Sequence, residues 1–409
     1  MREDSRSRPG RLSRIRRDRR GWRLNNQPIY LDYNATTPHA PEVIEAMRPY
    51  LEEHFGNPSS SHWYGRKTRE AVETARAQVA ALLNCAPGEI LFTSGGTESN
   101  NHAIRGIALA RRHRGKHIIT SQIEHPAVTA VCERLKQDGF EVTYLPVDEH
   151  GLVSVSDVKR AIRPETILIT LMHANNEVST IQPIEEVAEL ANARGIVFHT
   201  DAAQSAGKIP TDVRVQGVDL LSIAGHKLYA PKGVGALYVR KGTHLERLME
   251  GAGQEGGRRP GTENVLEIVG LGKACDIAHR DLAANREHMR RMRDRLEAGL
   301  LERVPYLCVN GHPENRLPNT LSASVEGLDA GALLDAIQDK VAASAGAACH
   351  SGHVQVSHVL QAMHIPEEWA RGTLRFSTGR MTSAVDIDTA VAVIADAIKR
   401  LRASRSDVQ

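Results

Sequence analysis

From Glu89 to Val239 the chain alternates short β-rich runs with helical stretches, and this alternation restricts the fold more than any other feature. The candidate strands are Glu89–Thr93, His117–Ser121, Glu141–Pro146, Thr166–Met172, Ile196–Thr200, Leu220–Ile223 and Gly235–Val239. Periodic segments at Ser99–Arg112, Ala127–Gln137, Val155–Ile162 and Ile184–Ala193 separate the earlier ones. This order predicts an α/β fold, a mostly parallel sheet with helices on both faces. Ligands of such sheets bind at the carboxyl ends of strands, so the loops there should carry the chemistry. Ahead of this block, Pro41–Phe55 and Arg66–Leu83 read as helices, with Pro41 suited to a first turn. Behind it, a long helical stretch runs from Glu263 to about Glu302. Leu307–Val309, Thr320–Val325 and Thr373–Ser377 then predict strands of a smaller α+β C-terminal domain, closed by the helix Val385–Leu401. The expected division is a disordered Arg-rich tail at 1–27, an N-terminal segment at 28–40, a large domain at 41–275 and a small domain at 276–409.

Charge separates the tail from the rest. Residues 1–27 hold ten Arg against three acids, Glu3, Asp4 and Asp18, out of 52 basic and 49 acidic residues in all. The body is left with 42 basic and 46 acidic groups, a balance that argues against a general nucleic-acid binder. The tail reads as a disordered extension or as an arm that contacts RNA or a partner. Five scattered cysteines with no C-x-x-C pair favour a reducing compartment over a disulfide framework, hence a cytoplasmic location. No apolar run is long enough to span a membrane.

Three strand ends carry candidate chemistry. Ser94-Gly95-Gly96-Thr97 follows a strand and opens a helix, where free N–H groups and the helix dipole attract an anion. No G-K-[ST] follows, so this is not a nucleotide P-loop. Asp201 ends the next marked strand and Lys227 lies just past another. Taken singly, these are a tight turn, a turn-capping carboxylate and a loop lysine. Together at one sheet edge they supply what pyridoxal 5'-phosphate needs: a phosphate cup, a carboxylate for the pyridinium nitrogen and a Schiff-base lysine.

The run Leu31-Asp32-Tyr33-Asn34-Ala35-Thr36-Thr37-Pro38, the run Thr93 to Asn101, His173-Ala174-Asn175-Asn176-Glu177, His199 to Gln204, Gly225-His226-Lys227 and Arg259-Pro260-Gly261-Thr262-Glu263-Asn264 resemble those of the cysteine desulfurases and selenocysteine lyases. These are class V, fold type I pyridoxal phosphate enzymes. The resemblance covers about Ile29 to Leu401. It implies that Lys227 forms the Schiff base, Asp201 pairs with the pyridinium nitrogen, and Gln204 and Asn176 bond the cofactor's phenolic oxygen. His125 matches the residue that stacks on the ring and shuttles protons. Gly96, Thr97 and His226 match the phosphate cup, and Thr262 the residue that reaches it from the partner subunit of a homodimer. Arg375 matches the clamp on the substrate α-carboxylate, with Asn34 near it. Ala224 departs from the pattern, since many desulfurases carry a phosphate-binding Ser there.

Cys349, in Ala345-Gly346-Ala347-Ala348-Cys349-His350-Ser351-Gly352, reads as part of a flexible loop and matches the family's nucleophilic cysteine. The other four cysteines read as packing residues in helices or strands. His350, His353 and His358 beside Cys349 raise a metal reading, but no second cysteine completes a usual site, so no metal is assigned. The implied reaction takes L-cysteine to alanine, leaves a persulfide on Cys349 and passes sulfur to an acceptor or scaffold protein, as in iron–sulfur cluster assembly. A selenocysteine lyase, another class V transaminase or lyase, and a non-catalytic scaffold acting through the tail are the alternatives. The segment Ala342–Ser351 is closer to the lyase branch, which would take L-selenocysteine.

Overall fold

The computed structural model describes residues 27–350 and 353–406. A seven-stranded sheet forms its centre, in the order Ile90–Thr93, Gly235–Val239, Leu220–Ala224, Val197–Asp201, Thr166–Met172, His117–Ser121 and Glu141–Leu145. Only Gly235–Val239 runs antiparallel to its neighbours; the other pairs are parallel. The inner strands Thr166–Met172 and Val197–Asp201 are buried at every position. Continuous burial, rather than alternation, is what helices on both faces impose on a parallel strand.

Each helix buries one stripe. In Trp63–Leu83 the buried residues Val72, Ala75, Val79 and Leu83 recur every three or four positions and face the main core. Asn84 then turns left-handed, with φ 54°, and ends the helix. The opposite face of the sheet is covered by Gly96–Arg111 and Pro126–Gln137, which pack Ile104, Ile107, Val128 and Cys132 against Leu168 and Leu220.

A second, antiparallel sheet orders Ser344–Ala345, Thr373–Ser377, Thr320–Val325 and Leu307–Asn310. Its core joins Leu321, Leu374 and Phe376 to Leu296 and Leu300 of one helix and to Ile387, Ile394 and Ile398 of Ala384–Ser406. The long helix Val265–Arg303 serves both cores. Its first half packs Ile268, Leu271 and Cys275 on the large sheet, and its second half packs Leu296 and Leu300 on the small one. It passes position 275 unbroken, so the border drawn there falls inside a helix.

The N-terminal segment belongs to the smaller unit. Ile29–Tyr30 pairs in parallel with Val341–Ala342, Asp32 bridges Ser377, and Ile29 and Leu31 enter the second core. The segment read as a flexible Cys349 loop is instead a two-stranded antiparallel hairpin, Ala347–His350 with His353–Val356. Two residues, Ser351 and Gly352, separate the strands, the spacing of the commonest hairpins. The side chain of Cys349, like those of His350 and His353 and all of residues 1–26, lies outside the described residues. Among the described residues no helix is long and apolar enough to cross a membrane.

Candidate active site

The carboxyl ends of the strands meet in a cleft of about 260 Å³. Ten of the residues expected at the site line it: Asn34, Gly96, Thr97, His125, Asn176, Asp201, Gln204, His226, Lys227 and Arg375. Thr262 does not; it is exposed and outside this lining, and Cys349 lies outside the described side chains.

One end of the cleft is a helix N-terminus. After the strand Ile90–Thr93, Gly95 adopts φ 149°, which side-chain-bearing residues rarely reach, and the helix starts at Gly96. A Cβ on Gly96 would stand 3.2 Å from the Ala224 Cβ, so the turn sits close on the neighbouring strand end. Glu98 accepts from Ser94 N at 2.8 Å and pairs with Arg259 at 2.9 Å. Burial raises its pKa, but the bonds from Arg259 and Ser94 outweigh that and hold it below the ordinary value. Its charge is therefore matched by Arg259, and the turn remains open to an anion.

Asp201 closes its strand with both carboxylate oxygens engaged, Oδ2 by Asn100 Nδ2 at 2.6 Å and Oδ1 by Ala203 N at 2.9 Å. The Lys227 amine donates to Ala35 O at 2.8 Å and to Asn34 O. Burial, aided by Arg375, pushes its pKa down to about 8, against the opposing pull of Asp32 and Asp201. His226 is lowered to about 4 by burial and by Lys227 and Lys232, so it is neutral at pH 7.

At the other end Arg375 stands on the strand Thr373–Ser377. Its guanidinium donates to Asp32 Oδ1 at 2.9 Å, Ser344 Oγ at 3.1 Å and Asn176 O at 3.1 Å, while its buried Nε has no partner. A planar fork fixed on one side, with an unpaired donor left over, suits a carboxylate ligand.

His125 caps the helix Pro126–Gln137, its Nδ1 accepting from Ala127 N at 3.1 Å. A ring nitrogen that accepts carries no proton, so the neutral ring is protonated at Nε2. Burial and the cations around it keep its pKa below the ordinary value, with Asp201 opposing. Beside it the Glu124 carboxyl is fully enclosed; Oε1 accepts from Ser121 Oγ at 2.6 Å and Met172 N at 3.0 Å. Burial pushes its pKa up to about 8 from 4.5. Between those values the folded chain holds a proton that the unfolded chain has lost, so stability falls as pH rises through the window. By pH 7 the loss is on the order of 3 kcal/mol. Glu124→Gln keeps the accepting oxygen and is expected to melt higher than the wild type at pH 7 to 8, the gap closing towards pH 5. Parallel melting curves across that range would refute the assignment.

Several residues of the site were not singled out from the sequence. Asp32 lies two positions ahead of Asn34, at the start of a turn over residues 33–35 that its carbonyl closes by accepting from Ala35 N at 3.0 Å, and no local spacing marked it. Asn100 stands one helical turn after Gly96 and Thr97. Lys208 gave no signal as a site residue. It is buried, with its amine on Asn34 Oδ1 and Gln204 Oε1. The cysteine reading is corrected at one place: Cys308 is exposed rather than packed. Cys132 and Cys275 are buried and Cys85 half-buried; burial pushes all three thiols up to about 12.

The residues present fit pyridoxal 5'-phosphate. An open helix N-terminus, a buried carboxylate and an amine of lowered pKa share the cleft. The buried Asn100 Oδ1 and Arg375 Nε are left without partners there.

Comparison with known proteins agrees with this geometry. The family model described as "Aminotransferase class-V" matches residues 29–389. The chain is 48% identical over 378 residues to "Cysteine desulfurase IscS" of Methanosarcina thermophila, covering 92% of this chain and 93% of that protein. It is also 48% identical over 375 residues to the protein of the same name from Dictyoglomus turgidum, covering 91% and 95%. Among solved structures, a "NIFS-LIKE PROTEIN" superposes with TM-score 0.86 at 35% identity, covering 91% of this chain and 99% of that one. The structure "SspA in complex with cysteine" superposes with TM-score 0.76 at 40% identity, covering 86% and 99%.

Proposed function

The chain belongs to the class-V aminotransferase family, and we propose that it works within it as a cysteine desulfurase. The observation that carries this reading is the single cleft joining Lys227, Asp201, the Gly96 helix start and the Arg375 fork.

Pyridoxal 5'-phosphate, when bound, supplies the electron sink that makes the substrate's Cα and Cβ bonds labile. Gly96, Thr97 and His226 hold its phosphate, Asp201 its ring nitrogen, and Gln204 and Asn176 its phenolic oxygen. Arg375 and Asn34 receive the α-carboxylate of L-cysteine. The Lys227 amine, with its pKa near 8, is available at neutral pH to take a proton from one substrate atom and return it to another. His125, which lines the cleft and carries its proton on Nε2, would donate that proton there. The Cys349 thiolate attacks the substrate sulfur: an S–S bond forms, the C–S bond breaks, and its electron pair stays on carbon, which takes up a proton. The products are alanine and a Cys349 persulfide, which an acceptor or scaffold protein relieves of its sulfur.

The working unit is a homodimer in which Thr262 completes the partner's phosphate site; its exposure is consistent with that role. The cytoplasm supplies the reducing conditions that the free thiols require. One experiment tests the whole reading. Purified protein with pyridoxal 5'-phosphate should release alanine from L-cysteine and migrate at twice its 44.8 kDa chain mass. A colourless, inactive protein overturns the activity, and a fully active monomer overturns the dimer. Selenide from L-selenocysteine, without alanine from L-cysteine, would move the assignment to the lyase.

A further inference from the structure

Lys208 is a lysine enclosed by protein, five residues beyond the strand-end turn that begins at Ala203 and outside the set of cleft-lining groups. Gly207 precedes it with φ 73°, and a Cβ there would stand 2.2 Å from Leu228 Cδ2, so the backbone turns tightly against the residue after Lys227. The Lys208 side chain runs inward from this turn. Its Nζ donates to Gln204 Oε1 at 2.9 Å and to Asn34 Oδ1 at 3.0 Å.

Both acceptors are amides of the cleft, and an amide can present either its oxygen or its NH2 by turning about its last torsion. The Lys208 amine favours the oxygens: charged it has donors only, and neutral it has two N–H bonds, one for each oxygen, and a single lone pair, so it cannot meet an NH2 end at both places. With the oxygens held by Lys208, Gln204 Nε2 donates to Asn34 O at 2.9 Å. Asn34 Nδ2 donates to Asn176 O at 3.1 Å and Thr320 Oγ1 at 2.8 Å. Asn34 has a second support, since Asn319 Nδ2 also donates to its Oδ1, at 3.0 Å. The Gln204 orientation rests on Lys208 and on the backbone of Asn34. Burial, together with Lys227 and Arg375, holds the Lys208 pKa well below the ordinary lysine range, and the neutral amine still has N–H bonds to donate.

We propose that Lys208 is a positioning residue whose amine sets which way the Gln204 and Asn34 amides face, and through Gln204 the affinity of the cleft for pyridoxal 5'-phosphate. The inference rests on the cleft being the cofactor site. If wild-type apoprotein takes up no pyridoxal 5'-phosphate, that reading fails first; if it does, the variants test Lys208 alone.

The experiment is a titration of full-length apoprotein with pyridoxal 5'-phosphate, with the melting temperature of each apoprotein recorded alongside. Lys208→Met should weaken binding roughly tenfold, the size of one lost orienting hydrogen bond. KM for L-cysteine should rise less, because Asn319 still holds Asn34. In a Gln204→Ala background the same substitution should change the dissociation constant by less than about twofold. Equal losses in both backgrounds mean that Lys208 acts only on the fold, and overturn the proposal. So does unchanged binding in the single variant. Should Lys208→Met not fold, Lys208→Gln replaces it, its shorter donor reaching one amide. A fall of about threefold that vanishes with Gln204→Ala carries the proposal, and an equal fall in both backgrounds overturns it.

Discussion

Lys227→Ala is expected to abolish conversion of L-cysteine, with kcat falling by about 10⁴-fold or more. The amine stands just past the end of the strand Leu220–Ala224, held by Asn34 O and, at 2.8 Å, by Ala35 O, where burial and Arg375 bring its pKa down to about 8. An ordinary lysine would be almost wholly protonated at pH 7.5. With a pKa near 8 roughly a quarter of the molecules carry the free amine, enough to act as nucleophile and base. Alanine removes both functions, and among the described residues no other lysine lines the cleft; the Lys208 amine is engaged with Gln204 and Asn34. Lys227→Arg should be equally inactive, because guanidinium stays protonated. Alanine release is one readout. The other is borohydride reduction of the reconstituted protein, which should fix the cofactor to the peptide containing Lys227 and to no other. Turnover of either variant within tenfold of wild type would sink the assignment.

Cys349→Ser should leave cofactor binding and borohydride fixation unchanged, because those depend on Lys227 and the cleft. Alanine release from L-cysteine should nevertheless fall by about 10³-fold or more, since a serine hydroxyl is a far poorer nucleophile towards sulfur at neutral pH. The remaining thiols do not replace it. Cys85, Cys132 and Cys275 are pushed up to about 12 and stay protonated. Cys308 is exposed on the edge strand of the smaller sheet, outside the cleft lining. Mass spectrometry should find the extra sulfur on the Cys349 peptide of the wild type and on none in the variant. Residual selenide release from L-selenocysteine is compatible with this scheme, because the weaker C–Se bond can break without attack. Full desulfurase activity in Cys349→Ser is not, and would hand the case to a lyase that makes no use of the thiol.

Much of this was legible locally. The runs His117–Ser121, Thr166–Met172, Gly235–Val239, Thr320–Val325 and Thr373–Ser377 form strands with the limits read from the sequence. Others shifted by a residue or two where a cap or a proline decided the end. The strand at Glu141 stops at Leu145, before Pro146, which has no N–H to give the ladder. The hairpin around Cys349 was missed because its small residues resemble a loop, while the signal lay in the two-residue spacing at Ser351-Gly352.

Period and turn chemistry, which the sequence carries residue by residue, determined the parallel sheet, the open helix start at Gly96 and the strand-end positions of Asp201 and Lys227. What the tertiary structure alone decided are meetings between distant segments. Asp32 reaches Arg375 because Ile29–Tyr30 pairs with Val341–Ala342 and packs into the second core, 343 residues of chain apart at the contact itself. Lys208 is buried against Asn34 and Gln204, and Cys308 is exposed, for the same reason. Nothing in the few residues around a lysine or a cysteine states whether another element will cover it; that depends on how the sheets and the long shared helix pack, which local patterns do not encode.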